Sequence, residues 1–104
     1  MIDLKQLQKD IYKNKLNKGF NVTDINKEFC LTYGEMAEAY EAWRKKQTGV
    51  GEEIADVVIY LLGLSEILNV DLENEILKKV NKNKHRQYKI IDGVNTRVKE
   101  YGEE

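Results

Sequence analysis

YGEMAEAYEAW, residues Tyr33 to Trp43, sets apolar side chains at the spacing of one helix face. Upstream the pattern continues, so that Ile25, Phe29, Tyr33, Met36, Tyr40 and Trp43 recur at intervals of three and four. At about 100° per residue these positions form one stripe, which predicts a long helix with that stripe in the core. Glu35 and Glu38 fall elsewhere. With Leu31 and Ala42 they form a second line, spaced four, three and four, roughly a third of a turn away. A solvated acidic face would carry Lys or Arg four residues on, and Ala39 and Ala42 stand there instead. Two carboxylates among apolar neighbours call for a partner.

The next helix sharpens that demand. IADVVIYLLGL, Ile54 to Leu64, is apolar on all sides except for Asp56 and the Tyr60 hydroxyl, and a helix apolar all round is expected to be buried. An unpaired carboxylate there would be costly or would protonate, so Asp56 needs a cation or hydrogen-bond donors. Glu53 precedes it by three residues on the same face. Two helices thus each offer a pair of acids, and a bundle can turn the pairs toward one another. Four carboxylates around one volume repel unless a divalent cation fills it. An oxygen-only set suits magnesium, manganese or calcium, whereas a di-iron bundle site wants Glu-x-x-His on two helices, and His85 is the sole histidine. Magnesium commonly bridges to substrate phosphates, so such a cluster points to phosphate chemistry.

The chain has no proline, and nothing in it forbids helix by removing an amide donor. Leu4, Leu7 and Ile11 mark a first helix that Asp3 caps, ended by NKGFNVT. The second helix runs from about Thr23 to Lys46, QTGVGEE breaks it, and a third follows from about Glu52 to Leu68. Asp71 as N-cap and Val70 as hydrophobic staple begin a fourth, which carries Leu72, Ile76 and Val80 at spacing four. The expected fold class is all-α: an antiparallel bundle of about four helices in a single domain, residues 1–104. The tail from Tyr88 to Glu104 contains an Asp-Gly turn signal and suits a hairpin, a short helix or an arm packed on a partner.

With 104 residues, 41% hydrophobic and 34% charged, the chain sits in the range of one globular domain. A domain this small buries only somewhat more than ~60% of its unfolded surface, which favours added core at a subunit interface, in a homodimer or homotetramer. A net charge of -1 gives no general attraction to nucleic acid. The longest apolar run is well short of the ~20 residues of a membrane span, and no secretory h-region is present, so a cytoplasmic protein is expected. Cys30 has no partner for an internal disulfide, and one Cys with one His makes no structural zinc site. Cys30 is expected near the core.

GEMAEAYEAW followed by GEEIADVVIYLL resembles the MazG-like, all-α nucleoside triphosphate pyrophosphohydrolases, across Leu31 to about Arg86. The resemblance implies that Glu35, Glu38, Glu53 and Asp56 hold Mg2+, with Mn2+ as a substitute, and carry catalysis. It also implies cleavage of a nucleoside triphosphate between the α and β phosphates to the monophosphate and pyrophosphate, a house-cleaning type of reaction. KKVNKNKHR resembles the family's K-x-x-x-N-x-x-R stretch at Lys79, Asn83 and Arg86, which would bind triphosphate and sugar. The alternative there is a solvated basic face near a helix C-terminus. Gln87 follows Arg86 where the family often has proline. Tyr60 and Trp43 are candidates to stack on the base, Trp43 also completing the apolar stripe. Glu38, Glu52 and Glu53 are all candidates for the general base. Two other classes stand beside the enzyme: a non-catalytic helical module binding a nucleotide or protein, and an oligomerisation bundle whose acids pair with Lys or Arg across the subunit interface.

Overall fold

The computed structural model describes residues 1–99 of the chain. It contains four helices, α1 (Leu4–Asn17), α2 (Ile25–Arg44), α3 (Val50–Ile67) and α4 (Leu72–His85), then two strands, β1 (Gln87–Ile91) and β2 (Val94–Lys99). Asp3 caps α1 as expected, its carboxylate accepting from the Gln6 amide at 3.1 Å. Asp24 does the same for α2 at Lys27, 3.1 Å. Asn21 braces that cap: its Oδ1 accepts from the Asp24 amide at 3.0 Å and its Nδ2 donates to the Asp24 carbonyl at 2.9 Å. None of the helices is long and apolar enough to cross a membrane.

The four helices agree with the expected fold class, and the C-terminal end adds a small hairpin to it, in which β1 and β2 pair antiparallel. Ile91 faces Val94 across Asp92 and Gly93, whose φ angles of 51° and 78° are the left-handed pair that a tight two-residue hairpin turn needs. Of the three expectations for the tail, the hairpin is the one found, up to Lys99; residues 100–104 lie outside the described part.

The chain divides into two compact units, Met1–Leu72 and the segment from Glu73 onward. In the first, α1 and α2 both pack on α3. Its buried apolar residues are Ala39 and Ala42 of α2 with Val57, Leu62 and Leu64 of α3. Gly63 lets α1 approach: a Cβ there would lie 3.2 Å from the Lys15 Cδ and 3.5 Å from Ile11. Gln8, also buried, donates its amide to Glu66 at 3.0 Å and to the Val70 carbonyl at 2.7 Å, pinning α1 to the end of α3 without leaving an orphan polar group. In the second unit no residue of α4 is buried, and the hairpin strands are exposed almost throughout.

The predicted core face of α2 is the largest correction. Ile25, Phe29, Tyr33, Met36, Tyr40 and Trp43 are all exposed, Tyr33 by 73% and Trp43 by 66%. The side of α2 turned inward runs instead through Glu28, Ala39 and Ala42, the two alanines letting the backbones approach closely; of the second line only Ala42 is buried, Glu35 is half-buried, and Leu31 and Glu38 are exposed. Periodicity identifies a stripe, not the element that covers it. Likewise α3 is not buried all round: Ile54, Val58, Ile59 and Leu61 are exposed. Cys30 is exposed as well, contrary to expectation.

Candidate functional site

On α2, Glu35 is half-buried and Glu38 exposed at its edge, and the first turns of α3 carry Glu53. Glu35, Glu38 and Glu53 each bring one carboxylate oxygen to within 4.8 Å of the others. Glu53 offers more: its Oε2 is buried and has no hydrogen-bond partner among the described residues. Buried acceptors are normally satisfied, so this oxygen marks a place for a donor or a cation. Asp56 stands one turn further along α3, outside the convergent three. Its charge is still felt at the cluster, because Glu35 has its pKa raised above the ordinary 4.5 by burial first, then by repulsion from Glu38 and Asp56, a hydrogen bond with Glu38, and Glu53.

An oxygen-only donor set, mutual repulsion and an unsatisfied buried oxygen together fit a hard divalent cation such as Mg2+ or Mn2+. Among the described residues none of Glu35, Glu38, Glu53 and Asp56 forms an ion pair with Lys or Arg. Glu38 is exposed while Glu35, Glu53 and Asp56 are half-buried, and Glu52 is exposed beside Glu53.

A second polar cluster, absent from the sequence expectations, lies along the same face of α2. Glu28, only 1% exposed, accepts from the Lys15 ammonium on Oε1 and from the Asn21 amide on Oε2 at 3.2 Å. Lys15 also sits over the Tyr60 ring, 5.5 Å from its centroid, in a cation–π contact. Tyr60 lies in the field of both clusters: its pKa is raised by burial first, then by Glu35, Glu28, Asp56 and Glu38. Glu28 had a signal in the sequence, since it lies seven residues before Glu35 and so on the same face two turns back. Lys15 had none, because nothing in α1 says which residues of α2 and α3 it will cross.

Trp43 is set apart as an exposed ring on α2, its centroid 6.2 Å from that of Tyr40. In the second unit, Asn83 and Arg86 come together, the Asn83 Oδ1 accepting from Arg86 Nη1 at 2.9 Å. Lys79 lies on the same helix beside Glu75, Lys78 and Lys82 around a shallow hollow of about 240 Å³.

A family model described as the MazG-like family matches residues 25–103. That span contains all four acids, Tyr60, Lys79, Asn83 and Arg86, and leaves Lys15 and Asn21 outside it. No curated protein and no solved structure matches the chain.

Proposed function

Because the chain belongs to the MazG-like family, we propose that it is a Mg2+-dependent pyrophosphohydrolase that converts a ribo- or deoxyribonucleoside triphosphate to the monophosphate and pyrophosphate. The observation that carries this reading is the meeting of Glu35, Glu38 and Glu53, with the buried Glu53 Oε2 left unsatisfied. These three residues, with Asp56 adding charge beside them, would hold the cation. When bound, it supplies positive charge to the triphosphate oxygens. A carboxylate among Glu38, Glu52 and Glu53 takes the proton of the water that attacks phosphorus, and pyrophosphate departs as the leaving group. Lys79 and Arg86 are proposed to bind phosphate oxygens, and Asn83, held by Arg86, to bind sugar or phosphate.

The exposed stripe of α2 supports a homodimer or homotetramer in which a second copy covers Phe29, Tyr33, Met36, Tyr40 and Trp43. Contiguous apolar surface of this kind marks interaction sites in soluble chains.

Incubation with each common ribo- and deoxyribonucleoside triphosphate, with Mg2+ or Mn2+, tests the activity by monophosphate and pyrophosphate release. Absence of turnover with every triphosphate, or release of diphosphate and orthophosphate instead, would overturn it.

A further inference from the structure

We propose that the cleft between the end of α1, the loop 18–24 and the start of α2 is a nucleobase subsite for bases that bear a ring carbonyl, and that the Lys15 ammonium donates to that carbonyl oxygen. This rests on the reading of the carboxylate cluster as a nucleotide site.

The cleft has a volume of about 420 Å³ and is lined by Lys15, Phe20, Asn21, Lys27, Glu28, Leu31 and Tyr60, of which Lys15 is the enclosed cation. That volume lies within the ~300–1,000 Å³ range of small-molecule sites, and the lining mixes apolar surface on Phe20 and Leu31 with charged and polar groups. Phe20 is half exposed and forms, with Lys15 and Tyr60, a wall shared with a second hollow of about 320 Å³. A flat ring entering here meets apolar surface on Phe20 and Leu31.

Lys15 is the polar group that gives this cleft a chemical preference. Its side chain is 12% exposed and is held by the Glu28 carboxylate and the Tyr60 ring face. An ammonium has three donors and no acceptor. Among the described residues Lys15 makes one hydrogen bond, to Glu28, so two largely desolvated donors remain. Glu28 does not read a ligand itself, being almost fully enclosed with both oxygens bonded; it fixes Lys15 in place. Uracil, thymine, cytosine and guanine carry a carbonyl that accepts from Lys15. Adenine carries none: where the others have a carbonyl it presents an amino donor, and its acceptors are ring nitrogens set back from that edge, so the Lys15 contact is weaker.

The placement relative to the acids is suitable. Glu28 and Glu35 are seven residues apart on α2, about 10 Å along the axis, and Tyr60 is about 6 Å beyond Asp56 on α3. That is the scale separating the far edge of a base from its α-phosphate, so one nucleotide spans cleft and carboxylates.

Amide-resolved NMR titration with dUMP, dGMP and dAMP, without divalent metal, tests the cleft independently of turnover. The expected result is shifts in residues 18–31 and around Tyr60 with dUMP and dGMP, and at least about tenfold weaker binding of dAMP, the size of one charged hydrogen bond. Lys15→Met/Glu28→Gln removes both charges without stranding a buried carboxylate, and should erase the preference. Phe20→Ala, at an exposed position, should weaken dUMP and dGMP alike while the fold persists. The proposal is overturned if no nucleotide shifts these residues, if the shifts gather around Trp43, if dAMP binds equally, or if the double variant keeps the preference. A chain inactive on triphosphates that shows the pattern keeps the cleft and loses the hydrolase reading. An active chain without the pattern does the reverse.

Discussion

Lys15 of α1 and Glu28 of α2 form an ion pair whose carboxylate is 1% exposed, and the lysine stem reaches it by passing over Gly63 of α3. One pair therefore ties three helices together, and breaking it on one side leaves a buried charge unmatched. Lys15→Met should destabilise the chain by about 3–5 kcal/mol, the range for stranding one half of a buried pair. Lys15→Met/Glu28→Gln should be markedly more stable than Lys15→Met alone. Urea unfolding of the two variants measures this, and equal stability would show that the pair is not coupled.

Removing one acid from the cluster should separate binding from folding. Glu35→Gln and Glu53→Gln keep size and lose charge, so each relieves repulsion in the metal-free chain and should melt no lower than wild type there. Added Mn2+ or Mg2+ should raise the wild-type melting temperature, and a non-hydrolysable triphosphate analogue should raise it further, with both Gln variants blunted. Asp56→Ala should abolish turnover in a folded chain. Wild-type metal response in both Gln variants would dismiss the site.

The cluster also sets a pH dependence. Glu35 binds its proton more tightly folded than unfolded, so its stabilising contribution is complete below the ordinary value of 4.5 and disappears as pH rises through the raised folded value. The metal-free chain should therefore lose this contribution on going upward from pH 4.5, while the stabilisation given by Mn2+ grows over the same window as the carboxylate ionises. Melting curves with and without Mn2+ across that window check both slopes. A Mn2+ effect that is flat with pH would contradict the role of Glu35.

Charge placed on the α2 stripe should dissociate copies without unfolding the helix. Tyr40→Lys or Phe29→Lys is expected to shift the mass by light scattering from a multiple of 12.1 kDa toward the single chain, with helical circular dichroism retained. A wild-type chain that already runs at 12.1 kDa would refute the interface.

On α4, Arg86→Ala should lower kcat/KM by a factor equivalent to about 1.5–3 kcal/mol, the value of a charged hydrogen bond to phosphate. Unchanged kinetics in both Arg86→Ala and Lys79→Ala would leave these residues as a solvated basic face.

Local chemistry was legible in the residues themselves. Asp3 before an apolar repeat forms the expected cap, Asp92-Gly93 forms the tight turn, and the paired acids at Glu35/Glu38 and Glu53/Asp56 sit on consecutive helices, with Glu35, Glu38 and Glu53 meeting. Each of these depends on neighbours within one or two turns, which is the range over which spacing speaks. The choice of face does not. The aromatic stripe of α2 has the stronger apolar period, yet Ala39 and Ala42 lie against α3 because backbone approach is limited by side-chain size at the contact. The Lys15 to Glu28 pair likewise exists only because α1 crosses α3 at Gly63, bringing a lysine of one helix to a carboxylate of another. Residues so joined share no periodicity, and only the packing of the three helices brings them together.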